Sequence, residues 1–257
     1  MSMAAPLISR LVQPGSTRLL LVVLDGLGGL ARAETMRSEL EKADIPNLDR
    51  LAERSDTGFT LPIATGVTPG GLSGLHALLG RDVLRDDRTG DPPLAAAVQL
   101  RTVFFSSSEE ARLAATGYGF TALELDGFDA APAALRAAWD RYDLFIVHSD
   151  ELEGPALARD FVGKCRVLDR FDRVVPELLA LGPDVFCLAG SHSTPSLLGR
   201  RTWHPVPLLI HSPASREGNA SRFNEQDNLK GTLGVIPASE LLPLLLAHGG
   251  RLKEFSL

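Results

Sequence analysis

LLLVVLDGLGG, residues 19–29, decides how this chain is read. Leu19 to Leu24 is an unbroken apolar run rich in Leu and Val, closed by Asp25 and a glycine-rich turn. Such a run is a strand buried on both faces, here with a carboxylate at its C-terminal end. Open parallel sheets carry their chemistry at that end of their strands. An aspartate placed there binds a metal, orients a base or caps the next helix, and the stretch alone leaves all three open.

Working outward, the pattern alternates strand and helix. Pro46 to Ala52 has helical spacing with proline at its start. Thr57 to Ile63 reads as a short strand, and Thr65 to Asp82 as a glycine-rich turn feeding a helix that carries Leu72, Leu75, Leu78 and Leu79. Further strands are expected at Arg101–Ser106, Phe120–Leu125, Asp143–His148, Asp184–Ala189 and Val206–His211. Helices are expected over 108–116, 132–141 and 241–246, with a long one from Ala156 to Leu181 kinked at Pro176. Repeated strand–crossover–strand units predict an α/β fold, a mainly parallel sheet with helices on both faces. Residues 1–17 read as a partly mobile lead-in and 83–99 as a short polar bridge. With neither long enough to hold a second core, residues 1–257 are expected to form a single domain.

A net charge of −6 and a pI near 5.5 argue against nucleic acid or an anionic membrane as the main partner. Cys165 and Cys187 fit no metal-ligand spacing and read as small apolar residues of a reduced protein. Without a basic leader or an apolar run long enough to span a bilayer, a cytoplasmic location is expected.

Three strand ends bring polar groups into one layer: Asp25, the cluster His148-Ser149-Asp150-Glu151 with Glu153 just beyond, and Ser191-His192. Singly, each has a plain reading. His148 packs and hydrogen-bonds at a strand end, the acids begin a helix, and His192 shapes a turn. Together they form the oxygen and nitrogen donor set that a hydrolytic Zn or Mn site requires.

The ordered motifs VLDGLGG at 23–29, IPNLDRLAERSDTG at 45–58, the PG…LLG helix at 69–80, DFVGKCRVLDRFD at 160–172, AGSHSTP at 189–195, HPVPLLI at 204–210 and KGTLGVIPASELLPLLL at 230–246 cover nearly the whole chain. In this order they resemble the cofactor-independent phosphoglycerate mutases, especially the archaeal type, within the alkaline phosphatase superfamily. The resemblance implies an alkaline-phosphatase-like core, a two-metal site and a serine nucleophile that is transiently phosphorylated.

Residue by residue, the match departs from the family where the chemistry lies. Asp25 matches the first metal-ligating aspartate, but the nucleophile position falls on Gly71 and the aspartate after it on Leu72, with Pro69-Gly70 and Leu78-Leu79-Gly80 holding the register. A metal-binding aspartate falls on Glu153, and the histidine four residues later on Leu157. Ser191 replaces the aspartate of the motif that keeps His192, and Arg201 stands at the remaining ligand histidine. Ser191 and Leu157 offer no anionic ligand and Arg201 adds a fixed positive charge, which argues against two metal ions. Glycine at position 71 removes the phosphoenzyme. Ser73 faces away from the nucleophile direction, and Thr68 lies before the turn. The family's large inserted domain, which closes over the substrate, is expected to be missing, with residues 83–99 bridging its place.

The resulting expectation is a degenerate phosphoglycerate-mutase-like protein without mutase activity, whose cleft binds a small phosphorylated ligand or a protein partner. The alternative is an altered phosphatase or phosphotransferase holding one Mn or Zn on Asp25, Glu153 and His192, with His76, His148 and His204 available as recruited ligands. A third reading is a metal-free phosphate sensor in which Gly70, Gly71 and Arg201 bind the anion.

Overall fold

β1 (Leu19–Leu24) is buried along its whole length and pairs in parallel with β5 (Leu144–Ser149) on one side and β6 (Val185–Ala189) on the other. The computed structural model describes residues 5–81, 83–84, 97–216 and 218–253. Its sheet also contains β2 (Asp56–Leu61), β3 (Thr102–Ser106), β4 (Thr121–Glu124), β7 (Val206–His211) and β8 (Gly234–Pro237). The strand order is β4-β3-β5-β1-β6-β7-β2-β8, and β7 alone among these runs against its neighbours.

Alternation along β1 explains why the sheet is covered on both faces. Leu20, Val22 and Leu24 enter a core shared with α2 (Glu39–Lys42), α3 (Pro46–Ala52), α6 (Ala131–Ala138) and α8 (Phe161–Leu179). Leu19, Leu21 and Val23 enter the other, with α1 (Ala5–Leu11), α4 (Ser73–Leu78), α5 (Glu109–Gly117) and α10 (Leu241–His248). α3 has no cap of its own, since Ile45 precedes it, and borrows one. Asp172 of α8 accepts from Leu48 N–H at 2.8 Å and Asn47 N–H at 3.2 Å, which fixes the two helices together.

The predicted mainly parallel α/β fold is present, and four local expectations are corrected. The lead-in is anchored: Ile8 is fully buried in α1, and Val12 pairs with Leu252. The long helix is two helices, α7 (Glu153–Leu157) and α8, separated by Arg159 at φ 60° and capped by Asp160, whose carboxylate accepts from Gly163 N–H at 2.8 Å. Pro176 removes one helical donor, yet α8 continues past it to Leu179 because Val174, Val175 and Leu178 are buried around it. β8 and the short helices α2 and α9 (Glu225–Asn228) are additional elements. The expected bridge, residues 83–99, lies outside the described residues except for 83–84 and 97–99.

Glycine identity matters where α4 meets the loop after β6. A Cβ on Gly74 would stand 2.0 Å from the Ser191 carbonyl oxygen, whereas one on Gly154 meets nothing within 4 Å. Gly74→Ala should therefore cost about 1–3 kcal/mol in urea unfolding, as overpacking against backbone does. Gly154→Ala in α7 should be neutral or stabilising by up to about 1 kcal/mol. Equal effects of the two substitutions would refute the close contact.

Candidate functional site

The carboxyl ends of β1, β5 and β6 lie side by side, and their exits are stitched by backbone hydrogen bonds. Asp25 N–H donates to Ser149 O at 2.8 Å, and Gly26 N–H to His192 O at 3.1 Å. Gly26 takes a positive φ of 81° and turns the chain away immediately after Asp25. The strand ends thus bring Asp25, His148, Ser191 and His192 together, all buried.

These groups form one continuous chain of hydrogen bonds. Ser106 Oγ lies 2.8 Å from His148 Nδ1, and His148 Nε2 is 3.1 Å from Asp25 Oδ2. Ser191 Oγ donates to Asp25 Oδ1 at 2.5 Å and meets His192 Nδ1 at 2.7 Å. His192 Nε2 lies 2.7 Å from Glu153 Oε1. Arg201 then forks Glu153, with Nε 2.9 Å from Oε1 and Nη2 2.6 Å from Oε2, while its Nη1 donates to the Gly71 carbonyl at 2.7 Å.

Burial alone would raise the Asp25 pKa, but the charges and hydrogen bonds of His148, His192 and Ser191 outweigh it and pull the carboxyl down to about 2. Burial opposes charging of His148, and Asp25 overrides it, so the imidazole pKa moves up. Glu153 is held below the ordinary carboxylate range because His192 and Arg201 outweigh its desolvation. The Arg201 pKa is raised against its own desolvation by Glu153.

The Asp25, Glu153 and His192 ligand atoms all lie within 4.8 Å of one another, the grouping expected from the sequence. The donor types suit a divalent ion, but both Glu153 oxygens are bonded to the guanidinium, so the group does not fit a cation while Arg201 stands there. Ser191 is a neutral hydroxyl bonded to Asp25, and Leu157 is half exposed. His148 joins the chain through Asp25. His76 contacts the Tyr118 hydroxyl and His204 stacks on Trp203, and neither belongs to the grouping. Gly70 N–H donates to Ser73 Oγ at 3.0 Å, turning that hydroxyl back onto the loop. Gly71 has φ 51°, and a Cβ built on it meets nothing within 4 Å.

A second polar cluster, not anticipated from sequence, lies beneath the turn after β1. Lys164 is fully buried, and its Nζ donates to the carbonyls of Gly28 at 3.0 Å and Thr194 at 2.9 Å. Glu39 stands 3.8 Å from it and accepts from Ser196 N–H at 2.7 Å. Glu225 accepts from Gly29 N–H at 2.8 Å and from Ser38 Oγ at 2.5 Å. The glycine pair beside Asp25 and the lysine in the DFVGK motif were the only traces of this cluster in the sequence.

The family model of the Metalloenzyme superfamily matches residues 104–248. A probable 2,3-bisphosphoglycerate-independent phosphoglycerate mutase of Thermus thermophilus is 27% identical over 400 aligned positions, spanning 97% of this chain and 98% of that protein. Because this chain has 257 residues, at least 143 of those positions have no counterpart in it. Among solved structures, the PH0037 protein of Pyrococcus horikoshii superposes with a TM-score of 0.87 at 19% identity, covering 95% of this chain and all (100%) of that one. The cofactor-independent phosphoglycerate mutase of Thermoplasma acidophilum gives 0.71 at 12% identity, covering 91% and 100%. The alkaline phosphatase of the Antarctic bacterium TAB5 shares the fold at 0.57 and 11% identity, covering 94% and 99%. With the matched family model spanning more than half of its length, the chain belongs to the Metalloenzyme superfamily, as a divergent relative by sequence of the 2,3-bisphosphoglycerate-independent phosphoglycerate mutases.

Proposed function

We propose that this protein is a degenerate phosphoglycerate-mutase-like protein without mutase activity, whose cleft takes a small phosphorylated ligand or a protein partner. The observation that carries the reading is Arg201 forked onto Glu153 and bonded to the Gly71 carbonyl. A phosphoenzyme at this position needs a nucleophilic side chain, and Gly71 has none. Ser73, the nearby hydroxyl, is occupied by Gly70 N–H.

Electrostatics supports the same conclusion. Unit charges about 4 Å apart interact by about 4 kcal/mol at an effective dielectric near 20, and a divalent ion doubles this. That repulsion opposes an ion beside the guanidinium, and two ions would face it with only Asp25 and Glu153 as anionic ligands. The surplus of at least 143 positions in the Thermus alignment supports the view that residues 83–99 replace an inserted, substrate-enclosing domain and leave one core domain. The cleft is open over the glycine turn, since a Cβ on Gly70 or Gly71 meets nothing within 4 Å. Cys165 and Cys187 are free and buried, in keeping with a reducing, cytoplasmic setting.

A second reading has one specific observation in its favour, the convergence of Asp25, Glu153 and His192. It is an altered phosphatase holding a single Mn or Zn, and it requires Arg201 to leave Glu153. Such an ion would supply Lewis-acid activation of a phosphoryl oxygen.

Assays with 3-phosphoglycerate, and with an aryl phosphate in Mn2+ or Zn2+, separate the two readings. We expect no mutase product and no phosphate release above that of Asp25→Asn. Metal-dependent release that disappears in His192→Ala would establish the second reading instead.

The depressed Asp25 pKa also predicts an acid limb of stability. Its folded-state value, about 2, lies below the ordinary 3.8, so its stabilisation is present above 3.8 and is lost as pH falls toward 2. The loss amounts to about 2 kcal/mol by linkage. Urea unfolding between those pH values should be less pH-dependent in Asp25→Asn than in the wild type, and parallel curves would contradict the assigned pairing.

A further inference from the structure

We infer that Arg201 is the resident cation of this site, and that removing its guanidinium turns Asp25, Glu153 and His192 into a site for one divalent ion of the Zn or Mn class. The inference rests on the metal-free reading of the site and is independent of whether the protein turns over any phosphate ester.

Three features hold the arginine in this role. Its backbone is fixed: Thr202 N–H donates to Ser193 O at 2.8 Å, which pins residue 201 beside the segment carrying Ser191 and His192. Its side chain is fixed at two places, the forked Glu153 carboxylate and the Gly71 carbonyl, so it does not wander as a surface arginine does. The pair is also shielded, with side-chain exposures of 28% for Arg201 and 13% for Glu153. A bidentate guanidinium–carboxylate pair with little water around it keeps most of its strength.

The donors left behind when the guanidinium is removed already have the spacing of a metal site. Two carboxylates and an imidazole, with ligand atoms within 4.8 Å, meet the preference of Zn2+ and Mn2+ for oxygen and nitrogen donors. Asp25 is held by His148 at Oδ2 and by Ser191 at Oδ1, which fixes its carboxylate beside the other two donors. The charge at position 201 is what separates the present site from a metal-binding one.

The experiment is metal content per chain by plasma mass spectrometry, after incubation of the full-length protein with ZnCl2 or MnCl2 and desalting. Wild type should retain less than about a tenth of an ion, and Arg201→Ala about one, lost again when Asp25→Asn is added. Should Arg201→Ala not fold, Arg201→Met keeps the aliphatic stem across the cleft and carries the same expectation. A folded variant that retains no ion overturns the inference, as does a wild type holding an ion that disappears in Asp25→Asn. The metal-free reading falls with it only in the latter case; an empty variant leaves that reading standing. The absence of mutase activity is judged by the turnover assays and survives either result.

Discussion

A carboxylate buried at the end of a central strand must be faced by positive charge or hydrogen-bond donors, and Asp25 imposes that constraint on everything around it. Desolvation would otherwise neutralise it or push it out. Two neighbouring strand exits answer the demand. β5 delivers His148, and the loop after β6 delivers Ser191 and His192. Glu153 and Arg201 extend the same compensation toward the partly exposed guanidinium. A site built this way is saturated from within, since each carboxylate already has hydrogen-bond partners on both oxygens.

The same rule governs the cluster beneath the turn. Lys164 is buried because two carbonyls and Glu39 receive it, and the partly buried Glu225 carboxylate is received by Gly29 N–H and Ser38 Oγ. Burial lowers the Lys164 pKa and raises that of Glu225, so both ionisations are worked against by their surroundings. Removing one partner from such a cluster costs more than the cluster itself contributes, because the remaining charge stays buried. The turn carrying Gly28 and Gly29 is thereby held against α2, α8 and α9, and Asp25 is held with it.

The strands were legible because β1, β5 and β6 are buried on both faces and therefore appear as short, unbroken apolar runs. The break between α7 and α8 was not. Leu157 and Val162 are apolar yet half exposed, so the helical spacing runs on through Arg159 as if the helix did. β8 was obscured by Gly234 and Pro237, residues tolerated there because it is an edge strand. The Ser38–Glu41 capping box that starts α2 was present in the sequence and passed over. Within the site, the convergence of Asp25, Glu153 and His192 could be read from strand ends and motif order. The fork of Arg201 onto Glu153 could not, since a sequence gives an arginine's position but not its partner. The burial of Lys164 was hidden because lysine in a helix ordinarily faces water.

The position of β1 in the sheet also sets the order in which the chain assembles. The first strand to be synthesised is the one whose two partners, β5 and β6, come late, with Leu19 paired to Leu144 and to Val185. Until those strands have left the ribosome, β1 has both edges open, and its apolar faces lack most of their cover. Closing such long loops before any pairing is gained slows folding and exposes an aggregation-prone segment meanwhile. Nascent chains from which β6 has not yet emerged will therefore depend on chaperones more than chains from which it has.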